Sequence, residues 1–214
     1  MPADPLRRRT GRETRVQWID LLQEATGWHQ PRRERDWTRI ESELATPLPE
    51  DFKQLCESFE PGSFSAFLHV LRDEEAEPAW RWSLLRQWRQ LRLSVERDEG
   101  VARLYDPYGL YGASGDSGLI LWGYSEPEGR LYWLADASCA PETWPVIAMR
   151  LKGDPWQRFD MATSEFVYRA IADPELLDFS SQVQPPFYLP AWWPAIRSLE
   201  DWERVLRDRP EPRS

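Results

Sequence analysis

Leu119-Ile120-Leu121-Trp122-Gly123-Tyr124 and Arg130-Leu131-Tyr132-Trp133-Leu134 flank the turn residues Glu126-Pro127-Glu128-Gly129. Two runs rich in aromatic and branched side chains on either side of a Pro/Gly turn predict a β-hairpin. Downstream, Pro145 to Leu151 and Trp156 to Met161 read as two more strands joined through Gly153-Asp154, so the hairpin extends into an antiparallel meander. Upstream, Phe64 to Leu71 reads as a first strand.

Helices bracket these strands rather than alternating with them. Asp36 is placed to cap a helix bearing Trp37, Ile40 and Leu44, which breaks at Pro47. Pro49, Glu50 and Asp51 suit the start of the next helix, in which Phe52, Leu55, Cys56 and Phe59 recur at i, i+3, i+4 and i+7 before Pro61-Gly62 stops it. Trp80, Leu84, Trp88 and Leu91 recur at helical spacing over Trp80 to Arg92. Thr163 is placed to cap a helix with Phe166, Val167, Ala170 and Ile171, ending at Asp173-Pro174. Consecutive strands between helices define an α+β class rather than a doubly wound sheet.

The ends carry a different texture. Residues 1–13 read as disordered, and from Thr14 a short helix with Trp18, Leu21, Leu22 and Ala25 runs to Gly27. Pro185-Pro186-Phe187-Tyr188-Leu189-Pro190-Ala191-Trp192-Trp193-Pro194 is rigid and aromatic, and a last helix spans Ser198 to Arg207. Docking of this tail on its own domain is favoured over docking on another chain, because so many exposed aromatics would promote aggregation. The expected organisation is a basic N-terminal extension (1–35), a central domain (36–176) and a Pro/aromatic C-terminal extension (177–214).

Among 214 residues, 13 tryptophans supply core material, 19 prolines argue against a helical bundle, and the net charge is −9. That charge opposes nucleic-acid binding and favours a basic partner. It is uneven, since Arg7, Arg8, Arg9, Arg12, Arg15, Arg32, Arg33, Arg35 and Arg39 crowd the first forty positions. Lys53 and Lys152 are the only lysines, a usage typical of a GC-rich bacterial genome. No apolar run is long enough to cross a bilayer and no apolar stretch follows the first arginines, so a cytoplasmic location is expected. Cys56 and Cys139 are expected to be reduced.

Catalytic motifs fail on inspection. Gly115-Asp116-Ser117-Gly118 has the order found around the nucleophile of trypsin-like proteases, but His29 and His69 are the only imidazoles and neither has the surroundings of a protease histidine. Gly112-Ala113-Ser114-Gly115-Asp116 lacks the second glycine of a nucleophile elbow, and no phosphate-binding loop is present. His29, Cys56, His69 and Cys139 lack metal-ligand spacing, and Asp106, Asp116, Asp136 and Asp160 read as solvated loop acids. The expectation is a protein without catalysis, cofactor or metal.

Trp37, Ile40 and Glu41, then Leu48-Pro49-Glu50-Asp51-Phe52, Gly62, Ser117-Gly118-Leu119-Ile120-Leu121-Trp122-Gly123 and Leu131-Tyr132-Trp133 follow one another in the order of a known pattern. Over roughly residues 36–172 the chain resembles the SUKH (SMI1/KNR4-like) superfamily. Ser117 replaces the first glycine of the family strand motif, and Leu121 stands where a proline is usual. The resemblance implies helices packed around a twisted, mainly antiparallel sheet. It also implies an immunity-type protein that binds and neutralises a nuclease or deaminase toxin, or a regulatory or scaffold protein. Asp73, Glu74, Glu75 and Glu77 in the acidic run and Asp116, Glu126 and Glu128 on the sheet loops are the candidate partner contacts, because an acidic surface would steer a basic toxin.

Overall fold

The computed structural model describes residues 11–72, 82–113, 115–151, 153–173, 176, 179–181, 183–194, 196 and 198–209, the stretch 11–17 by its backbone alone. In chain order the elements are α1 (Gly11–Thr26), α2 (Thr38–Leu44), α3 (Glu50–Ser58), β1 (Gly62–Phe64), β2 (Leu68–Val70), α4 (Leu84–Arg97) and α5 (Glu99–Ala102). These are followed by β3 (Ser117–Ser125), β4 (Gly129–Asp136), β5 (Val146–Met149), β6 (Gln157–Phe159), α6 (Thr163–Ala172), β7 (Tyr188–Pro190) and α7 (Leu199–Asp208). The strands form one sheet in the order β6-β5-β4-β3-β2-β1-β7, with every neighbouring pair antiparallel. The architecture is α+β, as the order of elements predicts.

The β3–β4 hairpin is the centre of this sheet. Leu131, Trp133 and Ala135 of β4 are buried toward α3 and α6, where the ring of Phe52 meets Trp133 edge-on at 4.8 Å. A bulge between Leu121 and Gly123 leaves Trp122 stacked on Trp133 at 6.0 Å and edge-on to Phe166 of α6. Trp122 shares the face of Ile120, which pairs with Trp133, and the extra residue shifts the alternation beyond it, so that Gly123 pairs with Leu131 and Tyr124 with Arg130 on the opposite face. A Cβ on Gly123 would meet the His69 carbonyl oxygen at 2.8 Å, so only glycine lets β2 approach at the bulge. Gly118, at φ +146 and with the Tyr111 nitrogen 2.6 Å from where a Cβ would sit, plays the same part at the strand's start.

Polar groups join the helical layer to itself. Thr163 is predicted as the cap of α6, but it is the first helical residue, and its hydroxyl accepts from Trp133 Nε1 at 2.9 Å. The cap comes instead from a distant residue. Asp51, 2% exposed on α3, accepts from the Ser164 amide at 2.8 Å. Arg72 is 1% exposed, and its Nη1 donates to the Cys56 and Phe59 carbonyls at 2.8 and 2.6 Å, covering the C-terminal end of α3. Its Nε and Nη2 are buried with no hydrogen-bond partner among the described residues.

Several expectations need correction. The strand expected over Phe64 to Leu71 is two short strands, because Ser65 and Ala66 take φ of 53° and 50° and reverse the chain. Helix α1 begins at Gly11, so residues 11–13 are helical rather than disordered; residues 1–10 lie outside the described residues. Helix α4 starts at Leu84, capped by the Ser83 hydroxyl, while Trp80 lies outside the described residues. The aromatic tail docks on its own sheet: β7 pairs with β1, and Tyr188 packs among Trp28, Phe59 and Phe64. At the other end, α1 contacts α3 and α6, with Trp18 lying 5.4 Å from Tyr168. Cys56 and Cys139 are both free, and among the described residues no helix is long and apolar enough to cross a membrane.

Two substitutions test these joints. Asp51→Ala removes the acceptor for α6 and lowers the unfolding free energy by about 2 kcal/mol in urea titration. Tyr188→Ala empties the site that holds β7 and costs about 3 to 4 kcal/mol by the same measurement, with loss of near-ultraviolet aromatic signal.

Candidate functional site

Alternation along β4 that sends Leu131 and Trp133 to the helical layer sends Arg130 and Tyr132 to the opposite face. Tyr124 of β3 and Met149 of β5 sit directly across from Arg130 in register, and His69 of β2 sits across from Tyr124. Helix α4 forms a wall on this face, held where the Tyr124 hydroxyl donates to Gln87 Oε1 at 3.0 Å. The 3-10 turn Arg103–Tyr105 and Trp156 close the far side, with Trp156 Nε1 donating to the Asp106 carbonyl at 2.8 Å and its ring edge-on to Tyr132 at 5.6 Å. Between them lies a groove of about 950 Å³.

Its floor is phenolic and cationic. Arg130 lies against Tyr132 and Tyr105, with Tyr124 also acting on its charge, and no carboxylate among the described residues forms an ion pair with it. Burial, reinforced by Tyr105, pushes the Tyr132 hydroxyl above the ordinary phenol range; burial likewise raises Tyr105 and Tyr124. The rim carries four acids, Asp106, Glu126, Glu128 and Asp154, of which Asp154 pairs with Arg150 at 3.3 Å, and one arginine, Arg103, which pairs with Glu99 at 2.7 Å. His69 stacks on Trp82 at 4.7 Å and lies 3.7 Å from Glu126. Leu104, 45% exposed, adds an apolar lip.

The candidate contacts are divided by this geometry. Glu126 and Glu128 stand together on the β3–β4 turn at the groove mouth. Asp116 is exposed at the other end of β3, roughly 30 Å away along the strand. Asp73, Glu74, Glu75 and Glu77 lie outside the described residues. Ser117 pairs with Asp136 while His69 pairs with Tyr124, so the serine and the imidazole occupy opposite ends of β3 and cannot exchange a proton. Among the described residues no three His, Cys, Asp or Glu side chains are grouped to hold a metal ion. Asp136 is held below the usual carboxylate range by the Ser138 hydroxyl and amide, and Asp160 pairs with Arg158 at 2.9 Å.

Sequence reading missed Arg130, Tyr105, Tyr124, Tyr132 and the groove itself. One signal was available: in Arg130-Leu131-Tyr132-Trp133 the polar-tipped residues occupy alternate positions, so they share the face away from the core. Tyr105 is brought in by the tertiary fold and had no local signature. No protein-family model matches the chain, and neither the curated proteins nor the solved structures contain a match.

The raised phenols set a pH dependence. A tyrosine whose folded pKa exceeds its unfolded value stabilises the native state fully below the unfolded pKa, and this stability is lost as pH rises through the folded value. Tyr105, Tyr124, Tyr132 and the buried Tyr188 therefore make the fold weaken above about pH 10. Melting temperatures across alkaline pH check this: Tyr132→Phe should flatten the decline, and an unchanged slope would contradict it.

Proposed function

We propose that the chain is a non-enzymatic protein-binding domain of the SUKH type, acting in the cytoplasm as an immunity protein that binds and neutralises a nuclease or deaminase toxin. The observation that carries this reading is the acidic rim of Asp106, Glu126 and Glu128 around an aromatic groove on a rigid sheet. Toxins that act on nucleic acid present a basic cleft, and an acid-rimmed concave surface is steered to such a cleft and can cover it. A net charge of −9 adds long-range attraction of the same sign. Tyrosine and tryptophan at the floor suit protein recognition, since they contribute large contact area at low entropic cost. The order of motifs that resembles the SUKH superfamily supplies the class of partner.

A regulatory or scaffold role is the second reading, and a specific feature favours it. Leu199 is 76% exposed and Leu206 is 45% exposed on α7, away from the groove, leaving an apolar patch that a cellular partner could cover. The aromatic tail itself is already occupied by its own sheet.

Capture of partners from the native cytosol on the tagged protein, repeated at low and high salt, separates these readings. The immunity reading predicts one toxin-like partner, lost at high salt and weakened at least about tenfold by the pair Glu126→Lys and Glu128→Lys. Several housekeeping partners that survive both high salt and the charge reversal, but are lost with Leu199→Ser, would establish the scaffold reading instead.

A further inference from the structure

The rim and the floor of the groove carry opposite charges, and a uniformly basic partner would satisfy only the rim. Arg130 is the second residue of β4, exposed on the groove face, and Tyr132, Tyr105 and Tyr124 lie close enough to act on its charge. A guanidinium offers five donors in a planar fork that matches a carboxylate, and it is costly to cover with protein unless those donors are used. Neighbouring phenols can donate as well as accept, so Tyr132 and Tyr105 complete a donor-rich cradle rather than neutralise the cation. The cradle is fixed by the sheet register and by packing: Tyr132 is buried against Trp156, and Met149 of β5 pairs directly across from Arg130.

Resting on the protein-binding reading, we propose that the groove contains a carboxylate subsite, in which Arg130, Tyr132 and Tyr105 receive one Asp or Glu side chain of the partner that is flanked by basic residues. The flanking cations meet Asp106, Glu126 and Glu128 at the rim. This alternation selects a monoanion over a phosphate group, because the rim carboxylates repel a second negative charge while the flanking cations of a peptide offset them. It also explains how an acidic protein tells its partner from other basic surfaces: an uninterrupted basic stretch leaves Arg130 covered and unpaired, which weakens the complex.

Three probes test the subsite on the intact 214-residue chain without any knowledge of the partner: the blocked tripeptides acetyl-Lys-Glu-Lys-amide and acetyl-Lys-Gln-Lys-amide, and inorganic phosphate. The readout is the side-chain Nε–H resonance of Arg130, assigned with Arg130→Lys and followed by NMR during titration. The expected result is a saturable shift with the Glu peptide, at least about tenfold weaker binding of the Gln peptide, and phosphate weaker than the Glu peptide. Binding of the Glu peptide, followed by backbone amides around the groove, falls at least about tenfold in Arg130→Gln and more modestly in Tyr132→Phe. The melting temperature shows that each variant is folded; if Arg130→Gln does not fold, Arg130→Lys takes its place. Equal affinity for the Gln peptide, tighter binding of phosphate, or no saturable shift up to about 10 mM peptide would overturn the subsite. Capture of a cytosolic partner through Glu126 and Glu128 would still stand in that event, so the two proposals fail separately.

Discussion

Successive side chains of a β-strand point to opposite faces, and in β4 that constraint divides the protein in two. Leu131, Trp133 and Ala135 go to the helical layer, Arg130 and Tyr132 to the groove. The contact that pins the register is Phe52 of α3 edge-on to Trp133, with Trp133 Nε1 bonded to Thr163 of α6. A slip of one residue would bury Arg130 and Tyr132 against Phe52 and expose the tryptophan, so core and groove are specified together. The bulge at Trp122 serves the same division, since Trp122 joins the core face and the extra residue returns Tyr124 to the groove face opposite Arg130.

What the sequence shows and what it hides follows from how local each cause is. Helix α3, helix α6 and the four strands from β3 to β6 were legible because their apolar periodicity and their turns lie within the segment itself. The reversal at Ser65 and Ala66 was not, since left-handed residues that are neither Gly nor Asn leave no mark in a sequence; it is held by the Ser65 amide donating to Phe187, 122 residues away. Strand β7 is three residues long and bounded by prolines, so it reads as an extended Pro-rich stretch until β1 provides its partner. Arg72 carries no local mark of burial, yet it is enclosed where it meets the carbonyls at the end of α3.

Of the candidate site, the part on one turn was legible and the part assembled from several elements was not. Glu126 and Glu128 were singled out because acids on a hairpin turn are a local signal. Arg130 follows them by two residues but belongs to a cluster whose other members come from β3, the 3-10 turn after α5, and the segment before β6. A net charge of −9 directs attention to the acids and away from Arg130 inside the groove. Concave sites on the face of a sheet are built in this way, with the rim setting attraction at a distance and the floor setting fit on contact.

The central claim is that the partner binds in the groove between the β3–β4 turn and the 3-10 turn that carries Tyr105. Hydrogen–deuterium exchange of the protein alone and with its captured partner tests it most directly. The account predicts slowed exchange at residues 103–106 and 124–132, with the amides of α1 and α6 unchanged. Protection confined to α7 or to the α1 and α6 face, with the groove exchanging as in the free protein, would contradict it.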